Sequence, residues 1–494
     1  ILTMVFVGRG DSAKVRKAAN YLRQQQMATG GWSHFPGGEA DVSTTVKAYF
    51  ALKLAGDDPT ADHMVRAREV ARALGGLRAC NSYTKLYLAI FGQYDWDQCP
   101  AVPPEMTLLP DWLPFNIHAM SACSRAIVVP LSMIWAHKPL CGVPEAASIR
   151  ELDVAGSRRH RAPASTAREQ AWATFFEAVD ILLRWVEGLK INPFRQLALE
   201  KCEEWILERL EKSDGLGAIF PPIINVILAL RCHGYSLDHP AVRGQIEQLE
   251  RLEIEEGDTL RLQPCKSPVW DTSQALYALL ESGLEPGDPA VLEAAEWLLD
   301  REVGQAGDWQ VRNPTVPIGG WYFEYANEFY PDCDDTAEVM AALSRVRYPD
   351  ATQAHRSDEA LTRAVDWLLG MQNEDGGWAS FDRGCDMEVL AFVPFADHNA
   401  MIDPSTADIT SRAIDALTRC GVDTGDAAIQ RAIRFLLDQQ EADGSWFGRW
   451  GANYIYGTWL ALTGLQAGGF DMRHEACERA VEWLLSCQND DGGW

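Results

Sequence analysis

The stretch Tyr330-Pro331-Asp332-Cys333-Asp334-Asp335-Thr336-Ala337 holds three aspartates close enough to repel one another as carboxylates. Repulsion keeps at least one protonated well above the ordinary carboxylate range, and such groups titrate together rather than singly. Just upstream runs Gly319-Gly320-Trp321-Tyr322-Phe323-Glu324-Tyr325, an aromatic-rich stretch that leads into the acids. A Brønsted acid beside ring faces has a definite use. Protonating an unactivated alkene makes a tertiary carbocation that water would trap, so the reaction needs a dry pocket and rings whose negative faces attract cations. Two plainer readings fit the same residues. Pro331 and the aspartates would start a helix over Ala337-Glu338-Val339-Met340 well, making the cluster an N-cap. Asp334, Asp335 and Glu338 also have the shape of a magnesium-binding acidic motif, though no second acidic motif or phosphate-binding loop completes such a site.

The elements that must position these residues come as repeats. Ala18-Ala19-Asn20-Tyr21-Leu22 leads to Gln26 and Gly30-Gly31-Trp32. The same order recurs from Arg363 through Trp367 to Gln372 and Gly376-Gly377-Trp378, and from Arg431 through Phe435 to Gln440 and Gly444-Ser445-Trp446. A further copy runs from Arg479 through Trp483 to Gln488 and Gly492-Gly493-Trp494. A weaker one runs from Ala295 through Trp297 to Gly307-Asp308-Trp309, with Glu302 in the glutamine place, and an eroded one lies around Trp205 to Gly217. Each reads as an amphipathic helix with an aromatic and a Leu on its buried face, ended by Gly in a left-handed turn. The Gln can bond backbone groups at a neighbouring helix end while the Trp stacks there. Taken alone, any one Gln or Trp is best read as structural. Strand signals are sparse, so the expected fold is all-α, with helix pairs closing into α/α barrels.

Composition agrees. At 494 residues the chain exceeds one compact core, and 47% hydrophobic residues suffice for two. The net charge of −26 argues against a nucleic-acid partner, because phosphate binding needs clustered Lys and Arg. The 12 cysteines are scattered too widely for close-spaced zinc patterns or a disulfide scaffold, which points to a reducing cytoplasm. The apolar run Ala126–Ala136 is too short to span a bilayer. No signal peptide is visible, and the opening Ile1 points to a missing natural start.

The Gln–Trp repeats and Asp332-Cys333-Asp334-Asp335-Thr336-Ala337 resemble the squalene–hopene cyclase family of triterpene cyclases. So do Ser267-Pro268-Val269-Trp270-Asp271-Thr272, Gly444-Ser445-Trp446-Phe447-Gly448-Arg449-Trp450-Gly451, Pro103-Pro104-Glu105 and Pro221-Pro222, so the resemblance covers essentially the whole chain. It implies that Asp334 delivers a proton to a terminal double bond of squalene, while Asp332 and Asp335 hold and reprotonate it. Phe323 would stabilise an early ring cation, Trp270 and Trp494 would line the cavity, and Phe381 stands where the family often has Tyr. Asp271 and Asp408 match positions that support the acid. The implied product is hopene, its hydrated alcohol, or both; no cofactor or metal is implied.

Departures from the family pattern are specific. Arg412 stands where one branch has a His bonded to the catalytic acid; it lies four residues after Asp408, so the two can pair on one helix face. Cys123 replaces a cavity Trp, Phe220 replaces a Gln thought to position the terminating water, and His398 takes the place of an aromatic near the substrate entrance. Family members also begin earlier and continue past the Trp494 position. The expectation is a fragment cut at both ends, with an open cavity and poor activity.

Squalene partitions into bilayers, so such an enzyme must collect it there. The stretch from Ala171 to Trp185 is apolar over most of its surface and reads either as a core helix or as a monotopic patch dipping into one leaflet, on the cytoplasmic side of a bacterial inner membrane. Family resemblance makes a homodimer plausible. The expected architecture is a first barrel over 1–265 and a second, carrying the acid, over 266–494. Alternatives are an acid-initiated cyclase for another polyprenoid or a diphosphate substrate, which needs a basic pocket not visible here, and a non-catalytic helical-repeat module. A zinc prenyltransferase shares the barrel style, but its ligands cannot be assembled.

Overall fold

The structure is a computed structural model that describes residues 1–156, 166–396 and 400–494; His398, placed above near the substrate entrance, lies outside them. Among the described residues are nineteen α-helices and one antiparallel hairpin, Glu253–Glu256 with Thr259–Leu262. The helices pair into two α/α barrels, each around its own core. One core gathers residues between Ala19 and Val242 together with four near residue 400, the other residues between Val269 and Ala480.

The repeats work by closing helix ends. Each repeat Trp donates its indole N–H to a carbonyl in the last turn of the helix before it: Trp32 to Leu22 at 2.9 Å, Trp378 to Leu368 at 2.7 Å, Trp446 to Leu436 at 2.6 Å and Trp494 to Leu484 at 2.9 Å. These carbonyls lie in the last turn, where the regular bond from four residues on is missing; Leu368 O and Leu436 O take only the cap N–H of Met371 and Gln439 besides the indole. Gln26, Gln372 and Gln440 each also hold the helix two further along the chain. Gln372 Nε2 donates to Gly376 O at 2.8 Å and to Ala428 O, in the helix Ala427–Asp438, at 2.9 Å. Gln440 does the same with Gly444 and Ala476. Arg431 and Arg479 of those helices return bonds to the oxygens of Gln372 and Gln440. Glu302 fills the glutamine place as read from the sequence, taking Arg363 in a two-pronged pair at 2.7 and 2.8 Å.

One copy departs from the expected spacing. Its Trp is Trp321, whose indole donates to Leu298 O at 2.7 Å, whereas the indole N–H of Trp309 has no partner. An insertion after Glu302 separates the helix from its Trp, and Trp309 belongs to that insertion. A regularity not read from the sequence accompanies four copies: a Thr hydroxyl accepts the backbone N–H of Trp32, Trp321, Trp378 and Trp446, from Thr45, Thr336, Thr410 and Thr458 in turn.

The glycine of the repeat is required twice over. Gly444 has φ +97°, and a Cβ there would stand 2.8 Å from Arg479 O. Gly444→Ala should therefore destabilise the second barrel by about 3 kcal/mol, from left-handed strain plus the backbone overlap. Denaturant unfolding reads this directly, and an unchanged midpoint would show that the turn relaxes freely.

The halves are interlocked. Leu390, Phe395, Ala396 and Met401 belong by sequence to the second half yet complete the first core. Ser82 donates to Pro394 O at 2.8 Å, and Ser121 and Ser124 both donate to Ala400 O at 2.6 Å. The insertion supplies a second tie. Asp308, buried, takes Arg125 at 2.6 Å, Arg209 through its Nε at 2.9 Å and the Tyr330 hydroxyl at 3.1 Å. Asp382 holds the other side of Arg125 at 3.1 Å.

Candidate active site

The acid motif opens the helix Cys333–Leu343. Asp332 is its N-cap, accepting the Asp335 N–H at 2.7 Å, so the capping reading holds for that residue. The motif is also bound into the repeat: Asp332 N–H donates to Trp321 O at 2.9 Å, and Trp321 N–H donates to Thr336 Oγ1 at 2.9 Å. The turn that closes the preceding helix thus sets the position of the acids.

All three aspartates line a partly open cavity of about 440 Å³ at the junction of the halves. The helix Ala122–His137 contributes Cys123, and the second half contributes Trp270, Phe323, Phe381, Trp450 and Tyr456. Trp270 and Phe323 stand with ring centroids 6.2 Å apart, as do Phe381 and Trp450 at 6.0 Å. The Cys123 thiol, pushed up to about 12 chiefly by burial, is neutral. No Lys or Arg is among the described lining residues. The space is apolar, ringed by π faces and acidic at one wall.

Arg412, in the helix Ala407–Arg419, governs that wall. Its guanidinium pairs with Asp334 at 3.0 Å and with Glu338, donates to the Tyr456 hydroxyl at 2.6 Å, and lies 4.8 Å from the Trp270 ring centroid. The expected pairing of Arg412 with Asp408 does not form. Asp408 is turned to Thr406, to the Ile409 N–H at 3.1 Å and to the Trp450 N–H at 2.9 Å. It supports the site by holding the loop that presents Trp450. Because Arg412 engages Asp334 and Glu338, two of the three carboxyls of the magnesium pattern already share a fixed cation.

Burial raises the carboxyls by different amounts. Asp334 is pushed up to about 6, with the Arg412 charge opposing the rise. Asp332 is pushed up to about 7 by burial, against the bonds from Asp335 and with the help of the Asp334 charge. Asp335 lies well above the usual range, from burial and then from the charge of Asp332. Each rise favours the protonated form near neutral pH. Asp332 Oδ2 and Asp335 Oδ1 are buried without a hydrogen-bond partner.

Comparison with known proteins gives the family. The family model described as the squalene–hopene cyclase N-terminal domain matches residues 1–258, and that of the C-terminal domain matches 266–494. The chain belongs to the squalene–hopene cyclase family. A squalene–hopene cyclase of Zymomonas mobilis subsp. mobilis is 39% identical, the match covering 94% of this chain and 71% of the relative. That of Alicyclobacillus acidocaldarius is 36% identical over 95% of this chain and 73% of the relative. A dammaradiene synthase of the fern Dryopteris crassirhizoma is 34% identical over 94% and 69%.

Three residues that the squalene–hopene cyclase pattern assigns to the cavity or the acid lie elsewhere. Trp494 is 57% exposed and serves only its repeat. Phe220 lines a separate apolar space inside the first barrel; it starts the helix Phe220–Cys232, and the preceding extended residue Ile219 faces the reaction cavity instead. Asp271 is exposed and accepts from Ser267 Oγ at 3.0 Å, an ordinary first-turn contact without a link to the acids. Three residues at the site are not singled out by the sequence: Trp450, Tyr456 and Glu324. Trp450 stands inside a motif quoted above, and Glu324 inside the aromatic run. Nothing local marks Tyr456, and Glu338, read there as part of a magnesium pattern, is a partner of Arg412.

Proposed function

We propose that the protein cyclises squalene to hopene, its hydrated alcohol or both, with Asp334 as the proton donor. The observation that carries this is a set of buried, proton-retaining carboxyls opening into an apolar cavity walled by aromatic faces. The Asp334 O–H bond breaks as a C–H bond forms at the terminal alkene carbon. Ring closures then move the positive charge along the chain, and loss of a proton or capture of water ends the cascade. Asp332 and Asp335 hold protons beside the donor. The rings of Phe323, Trp270, Phe381 and Trp450 offer their negative faces to passing cations. Arg412 keeps Asp334 the most acidic of the three, which suits a group that must release a proton to a weak base. The diphosphate alternative needs cationic side chains on the cavity wall. Arg412, the nearest guanidinium, is committed to carboxylates. Incubation of detergent-solubilised protein with squalene, read by gas chromatography and mass spectrometry, tests the proposal; absence of cyclic product from folded protein would overturn it.

Delivery of the substrate is proposed to occur from a membrane surface, on the cytoplasmic side of a bacterial inner membrane. The helix Ala167–Gly188 supports this because it is mounted opposite to an ordinary surface helix. Its polar Asp180 faces inward, accepting the Ala101 N–H at 2.7 Å and Arg184 Nε at 3.0 Å. Its apolar residues face outward: Phe175 is 49% exposed, Ile181 56% and Trp185 61%. Leu189, Ile191, Phe194 and Leu197 continue the patch, which is more than a monomer normally shows to water. No described helix is long and apolar enough to cross a membrane. Phe176 is buried and Arg184 is bound, so neither is a clean probe of this surface. The variant Ile181→Asp/Trp185→Asp should lose flotation with liposomes while keeping its unfolding midpoint. Unchanged flotation would count against the patch, and a halved mass by light scattering would assign it to a homodimer instead.

A further inference from the structure

The cavity wall carries one carboxyl that the reaction as described does not use. Glu324 directly follows Phe323 and is buried, with its Oε2 accepting from Asn327 Nδ2 at 3.0 Å. It lines two chambers. One is the reaction cavity; the other is a polar pocket of about 360 Å³ bounded by Asp214, Gln248, Arg251 and Lys266. Arg251 and Tyr325 on that outer pocket are solvent-exposed, and among the described residues Glu324 alone belongs to both linings. On the inner side, Asp332 Oδ2, Asp335 Oδ1 and Asn327 Oδ1 are buried acceptors without donors, a polar lining that can bind water.

We propose that Glu324 is the relay through which the acid cluster is reprotonated from solvent after each turnover. The inference rests on the cyclisation proposed above, which consumes one proton at Asp334 and releases one at the far end of the cascade. Regeneration therefore needs a proton from outside, and among the described lining residues Glu324 is the one that also lines the outer polar pocket. In the relay, Glu324 gives its carboxyl proton inward, by way of Asp332 and Asp335, to the Asp334 carboxylate. The Glu324 carboxylate then takes a proton from water in the outer pocket. Its surroundings suit this. Burial pushes Glu324 up to about 8, the Asn327 bond opposing and the Asp332 charge adding, so it holds a proton at neutral pH and releases it readily. The charged groups facing it are Asp332 and Asp335 from within and Asp214, Arg251 and Lys266 from without.

The test separates the first turnover from later ones. With enzyme in excess over squalene at about pH 5, below the Asp334 value of about 6, Glu324→Gln should make product at close to the unmodified rate, because Asp334 starts protonated. With substrate in excess, kcat should fall about 10-fold to 100-fold at unchanged KM. Added formate, small enough to enter the outer pocket, should restore part of the loss, and Glu324→Asp should retain more activity than Glu324→Gln. Unfolding midpoints within a degree or two of the unmodified protein exclude a structural cause. Unchanged steady-state turnover in Glu324→Gln would overturn the relay, as would equal loss in the first turnover. Failure of the unmodified protein to make any product would strike the cyclisation reading itself, before a variant is compared.

Discussion

Asp334→Asn is expected to lower squalene cyclisation by about 10⁴-fold, to the limit of detection, while leaving the protein folded. The amide keeps the shape of the side chain but has no acidic proton. Neither neighbour can replace it: Asp332 is tied to the Asp335 N–H as a helix cap, and Asp335 is deeply buried and holds its proton more tightly. Arg412 keeps Glu338 and the Tyr456 hydroxyl as partners in the variant, so its charge is not stranded. The unmodified protein should show a matching pH profile. The donor must be protonated, and its folded value is about 6, so activity should fall as pH rises through 6 to 7. The same raised carboxyls favour the native state at low pH. Their contribution to stability is complete below the unfolded value of 3.8 and is lost as pH rises through about 6 for Asp334 and about 7 for Asp332. Product from Asp334→Asn at more than a few per cent of the normal rate would remove the residue from its role.

Asp308→Asn is the second large effect, this time on stability. Asp308 is fully buried between Arg125 and Arg209, and those guanidiniums hold its carboxyl well below the usual range against the cost of burial. With the charge gone, Arg209 loses its buried carboxylate and Arg125 keeps Asp382 and the carbonyls of Ile117 and Met120. Uncompensated buried charge of this kind costs about 3–5 kcal/mol, read by denaturant unfolding. A depressed value means the stabilisation is present above the unfolded value of 3.8 and is lost only as pH falls through the much lower folded value. Adding Arg209→Met to Asp308→Asn should recover part of the loss. If Asp308→Asn unfolds like the unmodified protein, the cluster is not a clamp.

The repeat is legible in the sequence because its logic is local: a Gln, a Gly four residues on and a Trp two beyond that, all serving one helix end. Where the insertion after Glu302 broke that spacing, the nearest Trp, Trp309, was taken for the true partner, Trp321. The acid motif is legible for the same reason, since Asp332, Asp334 and Asp335 share a turn. What surrounds it is not. Arg412 and Asp408 have the spacing of a helix pair, but Asp334, Glu338 and the Trp450 N–H across the cavity outcompete that pairing. Asp271 and Asp408 occupy similar places in the first turns of their helices. Only packing decides that one is exposed and the other wholly buried. Which of Ile219 and Phe220 meets the reaction cavity depends on a single extended residue before a helix, which carries no pattern of its own.

The strap formed by Leu390, Phe395, Ala396 and Met401 bears on how the chain is made. On a ribosome the first barrel emerges early, yet its missing wall is encoded near residue 400, long after the hairpin Glu253–Glu256 and Thr259–Leu262 has left the exit. At about 5–20 residues per second, the nascent barrel waits roughly 7–30 seconds with an uncovered apolar seam. Synthesis of this protein therefore creates a timed demand for chaperone shielding, and slow codons between the two halves would lengthen the hazard rather than relieve it.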